Sequence, residues 1–308
     1  MRKLVVIVVA GLLVLANVVT PYKVEHVHIE MQPEVLWHIG GLGITNTLLT
    51  GVLAGLLLVV VGSLITRRLV DAPSGRSAQN IVEALFEVLY GYVNSFAGER
   101  ARAFFPLIMC FFLYILLSNW LALMPGVGSI VLTSSQNGQS VTAPLFRSAT
   151  SDLNATLALA VISVVASQAY GVRFRGWWKH LTRFVAIERF VVYGNDLLKG
   201  RRPSAKSLLR GLLDLFIGIL EISEEITKVL SFGFRLFGNV FGGEVLLVVM
   251  AFLAPYLASL PFMGIEMLSG LIQAFIFSVL SAAFFARATT GHDDVPPREG
   301  LRTSAERI

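Results

Sequence analysis

Long apolar runs, separated by polar or charged segments, dominate the chain. Four of them lie before residue 180, at 4–19, 44–65, 103–125 and 153–172, and from residue 211 the chain is apolar almost without a break to 286. About 20 helical residues span the ~30 Å hydrocarbon core of a bilayer. Prolines 255 and 261 favour a turn within 254–262. The pattern predicts an all-α polytopic membrane protein with about six membrane helices.

One segment, 75–102, has a different pattern. Its apolar residues recur at spacings of three and four, at Ile81, Leu85, Val88, Leu89 and Val93. Glu83, Glu87 and Asn94 fall largely on the opposite side, which is the signature of an amphipathic helix. We expect this helix to lie on the membrane surface. The alternative is a soluble helical loop that packs on nothing.

The composition and the placement of the basic residues support a membrane protein of defined orientation. The chain is 55% hydrophobic and 15% charged, whereas soluble domains carry about a quarter charged residues. If the N-terminus is inside, 21 of the 25 Lys and Arg residues lie in inside segments, and only Lys23 and Arg147 lie outside. This asymmetry follows the positive-inside rule and predicts cytoplasmic termini. The net charge of +5 therefore reflects topology, and we expect no nucleic-acid binding.

These patterns divide the chain into three parts. Residues 1–20 are an uncleaved N-terminal membrane helix or a signal segment, because a basic start and an apolar run fit both. Residues 21–286 form the membrane domain, in which 126–151 and 173–210 read as loops. Residues 287–308, mostly polar and charged, read as a cytoplasmic tail.

Eight Asp, Glu, Lys and Arg residues lie in the last long apolar stretch, and five of them are candidates for a place at membrane depth. They are Glu221, Lys228, Arg235, Glu244 and Glu266. A charge at membrane depth costs at least about 2.5–3.5 kcal/mol, so such residues are functional candidates by default. A structural ion pair with a neighbouring helix is the alternative.

Helical geometry places most of the polar residues of this stretch on one face. At 100° per residue, one stripe contains Glu221, Glu224, Lys228, Ser231, Arg235 and Asn239. Glu244, nine residues beyond Arg235, points to the opposite face and lies about 13.5 Å further along the helix. On the returning helix Glu266 and Gln273 share a face. A turn near 258–260 would put Glu266 at the depth of Glu244 and Gln273 at that of Arg235, giving two offset polar paths on either side of a fixed positive charge.

Glycines surround the arginine in the segment SFGFRLFGNVFGGE (231–244). Gly238 and Gly242 form a small-xxx-small pattern, which allows another helix to approach closely. That helix either belongs to this chain or to a partner subunit that carries an exchangeable carboxylate.

The chain resembles a known family, subunit a of the F-type ATP synthase. The resemblance rests on five motifs in order: ITNT (44–47), SNWLALMPG (118–126), DLNATLALA (152–160), EISEEITKVLSFGFRLFGNVFGGE (221–244) and IQAFIFSVLS (272–281). It implies two long, tilted helices over 211–286 that wrap a ring of rotor c subunits. It also implies a stator subunit that conducts protons and has no catalytic activity alone.

The resemblance implies a role for each polar position. Arg235 matches the stator arginine that favours the ionised rotor carboxylate and separates the half-channels, and Asn239 and Gln273 match polar residues near it. The outer half-channel would contain Asn119, Asp152, Glu244 and Glu266. The inner half-channel would contain Glu221, Lys228 and Ser231. Family members often pair Glu with His where this chain has Glu244 and Glu266, and Ala122 stands where some relatives have an acid.

The implied partners are the c-ring, b-type peripheral stalk subunits, other ATP synthase subunits and the bilayer of a bacterial-type plasma (inner) membrane. No cofactor or metal is expected, and H⁺ is the expected ion. Two rivals stay open at this stage. An ion-coupled transporter would require inverted repeats, and the two halves of this chain look unlike. A scaffold would use its charges only for assembly.

Overall fold

The computed structural model describes residues 31–67, 78–124, 130–136, 139–177, 205–253 and 259–289. These ranges contain six α-helices: α1 (Asn46–Thr66), α2 (Ala78–Ala97), α3 (Ala101–Leu123), α4 (Leu153–Arg175), α5 (Ala205–Leu253) and α6 (Ser259–Thr289). Five helical stretches, one of them running through α2 and α3, are long and apolar enough to cross a membrane. The predicted all-α polytopic architecture is therefore confirmed. The apolar run 4–19 lies outside the described residues.

Capping residues mark the ends of two membrane helices. The Thr45 side chain accepts a hydrogen bond from the Leu48 backbone N–H at 3.2 Å and so caps α1. Asp152 caps α4 by accepting from the Asn154 N–H at 2.9 Å. Gly176, with φ of +85°, follows the last residue of α4, a position where glycine avoids the strain of a side chain.

α6 lies at the centre of the bundle and packs against α2, α3, α4 and α5. Aromatic rings fill these interfaces. Phe277 of α6 lies 5.5 Å from Phe111 and 5.0 Å from Phe232, measured between ring centres, and Phe285 lies 5.8 Å from Phe104. In a bilayer such packing contacts, rather than exclusion of water, hold helices together.

The amphipathic helix predicted over 75–102 is confirmed as α2. Its Leu89 and Val93 are buried against the bundle, and the Tyr92 ring lies 5.1 Å from that of Phe275 on α6. Val88, on the predicted apolar face, is exposed instead. The alternative of a helix that packs on nothing is wrong, because α2 contacts both α3 and α6. Its place on a membrane surface stays a prediction.

Two short antiparallel hairpins depart from the purely helical expectation. The first joins β1 (Val35–Ile39) to β2 (Leu42–Thr45), and the second joins β3 (Val131–Gln136) to β4 (Gln139–Pro144). The loop predicted over 126–151 is therefore partly wrong, because β-branched residues flank an Asn-Gly pair, a strong hairpin signal. Both hairpins lie at the same end of the bundle, which we call the outer end, following the predicted orientation.

The last two helices are longer than the apolar pattern indicated. α5 begins at Ala205 and α6 ends at Thr289, so the loop predicted to reach residue 210 and the tail predicted to start at 287 are both too long. With 49 residues, α5 extends about 74 Å, more than twice the hydrocarbon thickness. Such a helix is strongly inclined or projects beyond the hydrocarbon core. α5 ends at Leu253 and α6 begins at Ser259, so most of the turn predicted within 254–262 lies outside the described residues.

Arg100 joins three helices at the inner end, opposite the hairpins. It donates a hydrogen bond from Nη1 to the Thr289 carbonyl oxygen at 2.7 Å, and its guanidinium lies 5.8 Å from the centre of the Phe174 ring on α4. We expect R100A to lower the free energy of unfolding by about 1–3 kcal/mol, because the carbonyl loses a charged donor. Thermal unfolding of the purified subunit measures this. R102A, which removes an exposed arginine two residues further along, in α3, is the control, and equal unfolding midpoints for R100A and R102A would contradict the prediction.

Candidate functional site

A cavity of about 390 Å³ opens at the outer end between α3, α5, α6 and the segment that follows β4. Its polar lining consists of Glu34, Asn119, Arg147, Ser148, Glu244 and Glu266. The sequence-predicted residues Asn119, Glu244 and Glu266 are thus brought together by three different helices. Ala122 also lines the cavity, where it leaves the wall apolar.

Glu244 forms an ion pair that the sequence analysis did not predict. Its Oε2 accepts a hydrogen bond from Nε of Arg147 at 2.9 Å, and both side chains are largely buried. The guanidinium also lies 6.0 Å from the centre of the Phe241 ring, one helical turn before Glu244. A charge-assisted hydrogen bond of this length is among the stronger interactions in a protein.

Glu266 reaches toward the same cavity from α6 and packs against Gly243 of α5. A Cβ atom on Gly243 would overlap the Glu266 carboxylate, so any other residue there would force this side chain to move. Glu244 and Glu266 therefore line one cavity from adjacent positions of two antiparallel helices. This agrees with the predicted common depth.

The register between α5 and α6 also fixes the level of Gln273. The Asn239 side chain and Ser269 exchange hydrogen bonds of 3.0 and 3.1 Å. One turn further from the outer end, α5 carries Arg235 and α6 carries Gln273, because both helices advance four residues from this pair. Gln273 is buried and Arg235 is exposed, so the two share a level on different faces.

Arg235 lies on the exposed surface of the bundle, although it is in the middle of an apolar helix. Its Nη2 donates to Ser231 Oγ at 3.4 Å, on the same face one turn earlier. Within the described residues, Arg235 forms no ion pair with a carboxylate of this chain. The alternative of a structural ion pair with a neighbouring helix of this chain therefore has no support in the described part.

The glycines around Arg235 divide into two groups. A Cβ on Gly233 would meet the Leu157 side chain of α4 at 2.6 Å, and Gly243 accommodates Glu266, so both serve packing inside this chain. A Cβ on Gly238 or Gly242 would meet nothing within 4 Å, and both positions are exposed. The small-xxx-small pattern therefore faces outward, beside Arg235.

Two predicted outer-path residues have structural partners. Asn119 donates to the Gly270 carbonyl at 3.4 Å and accepts from Ser148 Oγ at 3.3 Å and from the Thr150 hydroxyl. Asp152 is buried, caps α4, and accepts from Thr47 Oγ1 at 3.2 Å. Asp152 does not line the cavity, so the structure separates it from the other predicted residues.

The predicted inner-path residues lie on a charged section of α5. Lys228 contacts Glu225 at 2.8 Å and Glu224 at 3.3 Å, and its Nζ lies 5.0 Å from the centre of the Phe284 ring. Arg287 of α6 binds Glu224 through both terminal nitrogens. Lys228 is thus a member of an ion-pair cluster. Glu221 lies one turn before Glu225, and Ser231 lies toward Arg235.

Sequence reasoning missed several members of these groups, namely Glu34, Arg147, Ser148, Glu225, Ser269 and Arg287. Arg147 had a signal, since it was one of only two basic residues on the predicted outer side. Ser269 lies between Glu266 and Gln273 at helical spacing, so it could have been found in the same way.

The described ranges hold no group of three or more His, Cys, Asp or Glu side chains that could bind a metal ion. The cavity carries carboxylates, an amide and a guanidinium, which can pass protons or orient water. This chemistry needs no bound cofactor.

Comparison with known proteins identifies the family. The model of the family described as ATP synthase A chain matches residues 47–286. The chain is 35% identical over 234 residues, 76% of its length and 80% of the relative's, to "ATP synthase subunit a" of Syntrophobacter fumaroxidans. It is 27% identical over 262 residues, 85% of its length and 99% of the relative's, to the protein of that name from Moorella thermoacetica. With "ATP synthase subunit a" of Mycobacterium tuberculosis it shares 30% identity over 250 residues, 79% of its length and 86% of the relative's. The motifs, the fold and these matches show that the chain belongs to the ATP synthase A chain family.

Proposed function

We propose that this chain is the proton-conducting stator subunit of a rotary F-type ATP synthase, coupling proton flow to ring rotation and ATP synthesis. The names of the relatives support this assignment. The observation that carries it is the position of Arg235. This arginine is exposed on the outside of the bundle between Ser231 and two glycines with open space, while a cavity with two glutamates begins further along the same helix.

The outer half-channel is the cavity that contains Asn119, Glu244 and Glu266. Protons enter from the hairpin end and pass by way of the two carboxyl groups toward the ring. Asp152 lies outside the cavity and stabilises its surroundings, since it caps the start of α4 and accepts a hydrogen bond from Thr47 of α1. Asn239 and Gln273 line the route from Glu266 to the level of Arg235.

The exposed face around Arg235 is the surface that meets the ring. A carboxylate on each rotor subunit arrives at this surface. The guanidinium favours its ionised form through charge attraction, and a fixed cation opposes the direct passage of protons between the two paths. Gly238 and Gly242 let the rotor helix approach closely because they add no side-chain volume.

The inner half-channel follows Glu221, Lys228 and Ser231 from Arg235 to the inner end. Lys228 acts here as part of its ion-pair cluster with Glu224 and Glu225. Protons that leave the rotor carboxylate reach the cytoplasm along this section of α5. The chain has no catalytic activity alone in this scheme.

The assignment brings partners and a location with it. The c-ring, b-type peripheral stalk subunits and the remaining ATP synthase subunits bind the chain in a bacterial-type plasma membrane. The C-terminus lies in the cytoplasm, and so does the N-terminus if residues 1–20 are retained.

Affinity purification through this chain tests the assignment. We expect a mild-detergent extract to yield a complex with a ring of small two-helix subunits and an ATPase, and the reconstituted complex to acidify vesicles when ATP is added. Recovery of the chain without a ring, from membranes that contain the assembled ATPase, would contradict the proposal.

A further inference from the structure

Arg147 joins three separate segments at the mouth of the outer cavity. Its side chain donates from Nε to Glu244 Oε2 at 2.9 Å and from Nη1 to the Gln32 carbonyl at 3.3 Å. Its backbone N–H donates to Thr50 Oγ1 of α1 at 3.3 Å. The residue thereby connects α1, the segment before β1 and α5.

The placement of this arginine is costly, so a specific use is indicated. Its side chain is only 12% exposed, and loops on the outer side of membrane proteins carry few basic residues. A largely buried guanidinium needs a partner with good geometry, because its desolvation otherwise exceeds what the pair gains. Glu244 provides that partner, at a position where the resemblance predicted a residue of the proton path.

The two glutamates of the cavity have unequal surroundings. Glu244 is held by a cation, whereas Glu266 lies against the backbone of Gly243, and in the described part of the chain no cation contacts it. A carboxylate that is bound to guanidinium must break an ion pair to take a proton. A carboxylate without a cation partner does not.

We infer that Arg147 is a positioning residue of the outer half-channel, which holds Glu244 against the cavity wall and leaves Glu266 as the carboxyl group that exchanges protons most readily. The inference rests on the proposed function. It also explains how this chain can have Glu at both position 244 and position 266, where family members often pair Glu with His. Arg147, which lies outside this pair, supplies the positive charge.

Proton flux in reconstituted complexes tests this role. We expect R147Q to lower both ATP-driven pumping and passive flux through the ATPase-stripped membrane sector by about tenfold or more, because it leaves the largely buried Glu244 carboxylate without its charged partner. R147K retains the charge and should recover most of the flux. R173Q, which removes an exposed arginine at the inner end of α4, is the matched control and should behave like the parent.

The double variant R147Q/E244Q separates positioning from folding. If the two residues act as a unit, it should assemble and conduct no less than E244Q alone, because no unpaired buried charge remains. Parental flux in R147Q would overturn the inference. So would an assembled R147K that conducts as poorly as R147Q, since a retained cation would then not restore the path, and so would a double variant that does not assemble, since Arg147 would then be a structural anchor only. Parental pumping by R235A would instead overturn the proposed function itself.

Discussion

Replacing Arg235 by alanine is expected to reduce ATP-driven proton pumping to the background of ring-free vesicles. Arg235 has no carboxylate partner within the described part of this chain and is exposed, so its removal leaves the packing of the bundle unchanged. What it removes is the charge that favours the ionised rotor carboxylate and separates the two proton paths. Passive flux through the stripped membrane sector should persist or increase, because the barrier between the paths is lost.

The control for this experiment is Arg173→Ala, since Arg173 is exposed on another helix at the inner end. Both variants should copurify with the ring in parental amounts. Pumping that survives in assembled R235A would contradict the proposed role. Loss of assembly in R235A but not in R173A would favour the rival in which the charges only mediate assembly.

Gly238→Leu is expected to stop ring-coupled pumping while the subunit itself stays folded. A side chain at this position has open space in the isolated subunit, and leucine favours the helix over glycine by up to about 1 kcal/mol. In the complex the same side chain would occupy the space of the approaching rotor helix. Pumping and thermal unfolding, measured on the same preparation, separate the two effects.

Two glycines serve as matched comparisons for Gly238. Gly62 of α1 also has open space around it, so Gly62→Leu should leave pumping unchanged and should raise the stability of the helix by the same small amount as Gly238→Leu. Gly233 faces Leu157, and Gly233→Leu should lower the stability of the subunit itself. Normal pumping by Gly238→Leu would show that this face does not meet the rotor closely.

Helical periodicity was sufficient to predict which residues share a helix face and which share a depth. The stripe from Glu221 to Asn239 and the common depth of Glu244 and Glu266 follow from 100° per residue and the position of one turn. The bounds of α5 and α6 were predicted less well, because charged residues such as Arg210 and Arg287 lie inside helices that extend beyond the apolar stretch 211–286.

Contacts between distant segments could not be predicted in this way. The pair formed by Arg147 and Glu244 joins residues 97 positions apart, and it depends on how the segment after β4 folds over α5. Periodicity carries no information about such a loop. The division of the glycines into inward and outward groups could not be predicted for the same reason, since it depends on which helix faces each glycine.

The reactivity of single cysteines from each side of the membrane tests directly whether two paths open on opposite sides. After Cys110 is replaced by alanine, N119C places a thiol in the outer cavity and S231C places one on the inner side of Arg235. A small membrane-impermeant methanethiosulfonate reagent should modify N119C only from the side opposite the ATPase and S231C only from the ATPase side. Modification of both thiols from the same side would contradict two separate half-channels divided at Arg235.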